Sequence, residues 1–214
     1  MAPWEIFASL AWVLSQSNRE LSVELVGYAG DVITMQMGAQ VQSQVPFDKD
    51  KRYDLLYIPG GMGSGVASKD EVLKKYITDH KEDGKIVATN CSGISILWRA
   101  GILGNHPITS PATVSARLKE EGANLQEPRP MWLGLLDEKL WTVIGGSGVH
   151  PSTVAMIAQY WGEDMGRIIG MMWDTFPAMG EKLFDLYGPE CYQYPPYERE
   201  LQEQMEDILL PKNE

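Results

Sequence analysis

The chain has 214 residues and a formal net charge of −11, from 18 basic and 29 acidic side chains. Such a length suits one domain with a full core, and the acidity excludes a nucleic-acid backbone or an anionic membrane surface as a partner for the whole molecule. Hydrophobic residues at 44% and charged residues at 22% are globular values, and two cysteines are too few for a disulfide framework, so the composition reads as intracellular and the expected location is cytoplasmic.

Trp4, Phe7, Leu10, Ala11 and Leu14 recur at helical spacing behind Pro3 and predict an amphipathic helix over 3–16. A signal peptide is not expected, because the stretch lacks a basic leader and contains Glu5. No later run approaches the roughly 18 apolar residues of a membrane span. Leu21–Tyr28 reads as a strand, and Val32–Val45 carries strand-like stretches around Gly38. Tyr53–Ile58 (YDLLYI) is a short apolar run of the buried parallel type, stopped by Pro59-Gly60-Gly61. Lys69–Lys81 is a predicted helix, Lys85–Thr89 a second buried strand, and Ile94–Ala100 and Ser115–Glu121 are helical. Trp132–Leu136 and Leu140–Ile144 pair across Asp137-Glu138-Lys139 as a hairpin, and Pro151–Trp161 is a helix. Alternation of strands and helices defines an α/β sandwich with a largely parallel sheet.

After residue 161 the character changes. Met165–Leu186 is a Met-rich and aromatic helical stretch, Gly188–Tyr197 a proline-interrupted loop, and Glu198–Leu210 an acidic amphipathic helix. The expectation is an α/β domain over 1–161 and a helical C-terminal extension over 162–214, packed on that domain or on a second copy.

Chemistry concentrates where the strand Lys85–Thr89 meets Asn90-Cys91-Ser92-Gly93. A cysteine on a sharp strand-to-helix turn presents its sulfur at the carboxyl end of the sheet, and the helix amino terminus behind it favours the thiolate. The N–H that follows such a nucleophile is placed to bind a developing oxyanion. Pro59-Gly60-Gly61-Met62-Gly63 also follows a buried parallel strand, so both turns are expected to open on the same sheet edge. A third glycine-rich turn, Gly145-Gly146-Ser147-Gly148, leads to His150, which either caps a helix start or polarises Cys91 or a substrate. His80 and His106 sit in polar turns and are expected to face solvent. Cys191, between tyrosines in a proline-rich segment, reads as an inert loop cysteine. Trp132, following Pro128-Arg129-Pro130, is a candidate for lining an apolar pocket. No set of His, Cys, Asp or Glu has metal-ligand spacing.

In this order, YDLLYIPGGMG, KIVATNCSGISILWRAGILG and WTVIGGSGVHPSTVAMIA resemble the ThiJ/PfpI superfamily, which holds the Parkinsonism-associated deglycase, PfpI-type proteases and isonitrile hydratases. The Cys-Ser-Gly elbow followed by Ala100–Gly104 looks most like the isonitrile hydratase-like subgroup. The resemblance implies a flavodoxin-like three-layer sandwich, a homodimer, Cys91 as nucleophile, and neither metal nor organic cofactor. It also implies that the backbone groups of Gly60, Gly61 and Ser92 bind substrate or oxyanion; Met62 on the second turn, Gly146 on the third, and Ser110 are further candidates for contact with the substrate or oxyanion.

Three features depart from the family pattern. The first strand and its acid-bearing loop precede the position matching Pro3, so this chain is expected to lack both. Ser110 stands where many members place a histidine, and His150 is not where the family keeps its catalytic group. The leading expectation is a small-molecule hydratase or lyase acting on an apolar organic substrate through Cys91. The alternatives are a non-catalytic ligand-binding or redox-sensing protein and, behind it, a glyoxalase, deglycase or peptidase.

Overall fold

The computed structural model describes residues 1–28, 30–35, 37–175 and 198–212; the expected loop Gly188–Tyr197 and Cys191 lie outside them. The first half of the chain runs α1 (Ala2–Ser15), β1 (Val26–Gly27), β2 (Val32–Thr34), β3 (Gln40–Gln42), β4 (Val45–Pro46), β5 (Leu55–Ile58), α2 (Ser64–Ala67), α3 (Glu71–Glu82) and β6 (Ile86–Asn90). Then follow α4 (Gly93–Arg99), α5 (Ala112–Glu120), β7 (Trp132–Leu135), β8 (Leu140–Val143), α6 (Gly146–Trp161), α7 (Glu163–Met172) and, after the segment not described, α8 (Glu198–Leu209). The chain divides into two compact units, Met1–Asp50 with Val149–Glu181, and Lys51–Gly148 with Lys182–Glu214.

In the first unit α1 buries Ile6, Phe7, Leu10 and Leu14, the stripe that its apolar spacing dictates. Phe7 meets Trp161 with ring centroids 5.8 Å apart, and Trp173 Nε1 donates to Ser9 Oγ at 3.1 Å. β2 and β3 form an antiparallel pair, and β1 pairs parallel with β4. The strand expected over Leu21–Tyr28 shrinks to Val26–Gly27. Just before it, the Leu25 N–H is taken by the Gln44 side chain at 2.8 Å, while the Leu25 carbonyl accepts from the Gln44 and Val45 backbone N–H groups.

The second unit holds a four-stranded sheet in the order β5-β6-β8-β7. β5, β6 and β8 are parallel, and β7 closes the edge as the antiparallel partner of β8, with Trp132 opposite Val143. The expected hairpin and the largely parallel sheet are both present. Strands such as IVATN need no polar alternation, because a parallel strand has neighbours on both edges and cover on its faces. Leu56, Ile58, Val87, Leu135 and Leu140 share a face by the two-residue period and join Ile77, Ile94, Leu97, Val114, Leu118 and Leu209 from the helices in one core. On the opposite face Trp141 lies over Gly134 of β7, its ring filling the space a Cβ would need.

Two local expectations are corrected. His80 does not face solvent: it is fully buried, with Nδ1 on the Tyr76 carbonyl at 2.8 Å and Nε2 accepting the Tyr53 N–H at 3.1 Å. Histidine at the end of an amphipathic helix looks polar in sequence, but here the α3 ring turns inward between Tyr53 and Tyr76. The late helix also begins at Gly146 rather than Pro151, which lies inside it. Gly148 already donates to the Gly145 carbonyl at 3.1 Å, so the glycine-rich stretch is helical and not an open turn.

Candidate functional site

β6 is hydrogen-bonded to β5 on one side and β8 on the other until Asn90, which pairs with Val143. The next residue leaves the ladder. Cys91 has φ +53°, a left-handed conformation that costs an L-residue roughly 1–2 kcal/mol. Its N–H is shared between the Val143 and Ile144 carbonyls, both at 3.0 Å, which holds the strained residue against the end of β8. Ser92 is the residue before α4, which begins at Gly93, and its hydroxyl makes no capping bond to the helix. Gly93 must lack a side chain: a Cβ there would overlap Thr89 Oγ1 and stand 2.8 Å from the Ile58 carbonyl oxygen. This glycine seats the start of α4 against the ends of β5 and β6. Thr89 Oγ1 in turn donates to the Ile58 carbonyl at 2.8 Å, tying the two strand ends together.

The turn after β5 comes directly against this elbow. A Cβ on Gly60 would lie 2.7 Å from both the Asn90 carbonyl oxygen and the Ser92 nitrogen, and 2.8 Å from Cys91 Cβ. Gly61, at φ +135°, donates its N–H to Ser92 Oγ at 2.9 Å and also has its carbonyl 3.0 Å from that hydroxyl. Ser64 at the start of α2 donates to the same carbonyl at 2.8 Å and lies 3.0 Å from Ser92 Oγ. The Gly61 N–H, one of the expected oxyanion donors, is therefore engaged within the protein. Among the described residues no acceptor takes the N–H of Gly60, Met62 or Ser92. Cys91 is half-buried, whereas Ser92 is fully buried.

The remaining expected residues divide. Met62 is partly buried against the core of the second unit. Ser110 is fully buried, its hydroxyl directed to the Pro111 carbonyl at 3.3 Å and its own carbonyl taking Arg129 Nη1 at 3.2 Å. Trp132 opens β7, and Gly146 is the first residue of α6. His150 belongs to the first unit, with its ring 6.1 Å from that of Trp173. No group of His, Cys, Asp and Glu suited to a metal occurs among the described residues. Ser64 and Thr89 were not anticipated as part of the site. Ser64 carries a faint signal, a hydroxyl three residues past a glycine pair, but nothing in the sequence pairs it with Ser92.

A half-buried cysteine at a strained strand-to-helix bend, with a glycine turn from the neighbouring parallel strand pressed against it, defines an α/β protein of the elbow-cysteine class. The chain belongs to the DJ-1/PfpI family, whose pattern it matches over residues 1–145. It is 33% identical over 93 residues to a deglycase of Thermococcus kodakarensis, a match covering 42% of this chain and 56% of that protein. Over 101 residues it is 27% identical to an isonitrile hydratase of Pseudomonas putida, covering 47% of this chain and 41% of that one. In these matches it spans about half the length of the curated relatives. Its fold is that of a ThiJ/PfpI family protein from Pseudomonas syringae (TM-score 0.68, 18% identity, 95% of this chain and 85% of that one). DJ-1 from Schizosaccharomyces pombe gives a TM-score of 0.62 at 19% identity, over 80% of this chain and 89% of that one. The expected flavodoxin-like α/β architecture is thereby established, and the family includes proteins named as enzymes.

Proposed function

We propose that the protein is a cysteine-dependent enzyme that adds Cys91 sulfur to an electrophilic carbon of a small organic molecule, in the manner of an isonitrile hydratase. The observation that carries this reading is the contact between Gly60 and the Cys91 elbow, with the Gly60 and Ser92 N–H groups lacking protein acceptors. Donors without protein partners, one on the residue after the cysteine and one on the turn packed against it, suit a developing negative charge. With an isonitrile, the sulfur bonds to the terminal carbon and the thiol proton goes to that carbon, giving a thioimidate. Water then adds to the same carbon, the carbon–sulfur bond breaks, and an N-substituted formamide and the free thiol result. A carbonyl substrate would instead give a hemithioacetal, with the oxyanion facing the same donors.

Incubation with cyclohexyl isocyanide and, separately, with methylglyoxal tests the reading, with product followed by mass spectrometry. Formamide release that disappears in Cys91→Ala supports the hydratase reading. Equal turnover by that variant would remove the sulfur from the mechanism.

A second reading is a redox-sensing protein. It is favoured by the absence, among the described residues, of any imidazole or carboxylate hydrogen-bonded to Cys91. Peroxide would then convert the thiol to sulfenic acid and water, and a second equivalent to sulfinic acid. Intact-mass gains of one and two oxygens without turnover on either substrate class would favour this reading over the enzymatic one.

A further inference from the structure

The proposed chemistry does not use α8, yet this helix packs on α2, the short helix that follows the glycine turn. We propose that α8 sets the position of the Gly60–Gly61 turn through α2, with Gly65 and Arg117 as positioning residues. The effect on turnover rests on the proposed role of that turn, while the mechanical coupling is independent of it.

The coupling begins at Arg117 on α5, a buried guanidinium. Its Nη1 donates to the Leu210 carbonyl and its Nη2 to Asp207 Oδ1, both at 2.9 Å, and its backbone N–H donates to the buried Glu206 carboxylate at 3.1 Å. Arg99 Nη2 adds a bond to the Pro211 carbonyl at 2.8 Å. Two cations thus engage the carbonyls of the two residues that follow the last helical residue, at the end where the helix dipole also favours positive charge. Leu209 and Leu210 enter the core of the unit, so the last turn of α8 is held by both polar and apolar contacts.

Held there, α8 presses its backbone on α2. A Cβ at Gly65 would overlap the Ile208 carbonyl oxygen and stand 2.8 Å from the carbonyl carbon. Two backbones in contact have no side chain between them to absorb a displacement. One residue before Gly65, Ser64 holds the Gly61 carbonyl at 2.8 Å and meets the Ser92 hydroxyl at 3.0 Å. The turn is therefore fixed between Ser92 on one side and α8, through α2, on the other. Cys91 is anchored separately, on the Val143 and Ile144 carbonyls at the end of β8.

Amide hydrogen exchange on the full-length chain, comparing wild type with Gly65→Ala and Arg117→Ala, tests this. Exchange of the hydrogen-bonded Gly61 and Ser64 amides is expected to quicken about tenfold or more in both variants, with residues 86–90 unchanged, as for release of a local unit. Turnover should fall while the rate of Cys91 modification by iodoacetamide stays within about twofold, a split that general unfolding would not produce. Should Gly65→Ala fail to fold, Arg117→Lys, which keeps the charge but loses the fork, replaces it in the comparison. Faster exchange across 198–210 with the Gly61 and Ser64 amides unaltered would overturn the proposal. Coupled exchange in a wild-type protein that turns over neither substrate would leave the coupling standing and remove the enzymatic reading.

Discussion

Gly60 and Cys91 are packed so closely that the Cβ a larger residue would bring to position 60 would be 2.8 Å from the cysteine Cβ and 2.7 Å from two flanking backbone atoms. Backbone cannot yield as the tip of a long side chain can. Gly60→Ala is therefore expected to cost about 1–3 kcal/mol of stability by overpacking. It should also lower turnover by more than the lost stability explains, because the elbow itself must shift. Urea unfolding beside a kinetic assay checks both; an alanine variant of wild-type stability and rate would contradict the packing described.

The left-handed Cys91 predicts a trade between stability and function. Glycine tolerates φ +53° without steric cost, so Cys91→Gly should be more stable than Cys91→Ala by about 1 kcal/mol, while both lose the nucleophile. Thermal midpoints of the two variants decide this, and an alanine variant at least as stable as the glycine one would show that the elbow holds no strain.

Ser92 Oγ is hydrogen-bonded to the Gly61 N–H at 2.9 Å. Ser92→Ala removes this acceptor from a part-buried donor and should cost about 1–3 kcal/mol. Ser92→Thr, which keeps the hydroxyl, should recover most of that loss. Chemical denaturation of the pair separates a lost hydrogen bond from a lost shape: equal destabilisation by alanine and threonine would favour shape alone.

His80 makes the folded state sensitive to acid. Burial holds its pKa below the ordinary imidazole value, and the nearby Arg52 charge acts in the same direction, against the Tyr76 carbonyl, Asp83 and Asp79. The unfolded chain binds this proton as pH falls through about 6.5, while the folded ring resists it. Stability should be intact above that pH and decline below it, as protonation would also break the bond from the Tyr53 N–H to Nε2. Urea midpoints at pH 7.5 and 5.5 should therefore differ more for wild type than for His80→Gln. An unchanged difference in the variant would assign the acid sensitivity elsewhere.

Much of this protein is legible in its sequence, because apolar periodicity and glycine placement are local properties. YDLLYI, KIVAT and the Trp132–Ile144 hairpin declare buried strands, and Asn90-Cys91-Ser92-Gly93 declares a bend, whatever surrounds them. The sequence also carries the family, through the order of its three glycine-bearing segments. It could not show that the Gly61 N–H is satisfied by Ser92 Oγ, that Ser64 joins them, or that Gly65 exists to admit the Ile208 carbonyl, since those partners lie 28 to 143 positions apart. His80 shows the same limit: its place on α3 follows from helical spacing, but only the packing of Tyr53 and Tyr76 around it makes a polar-looking residue a buried, neutral one. Local spacing determines which residues can form an element, and the close approach of distant backbones decides which of their polar groups remain available to a ligand.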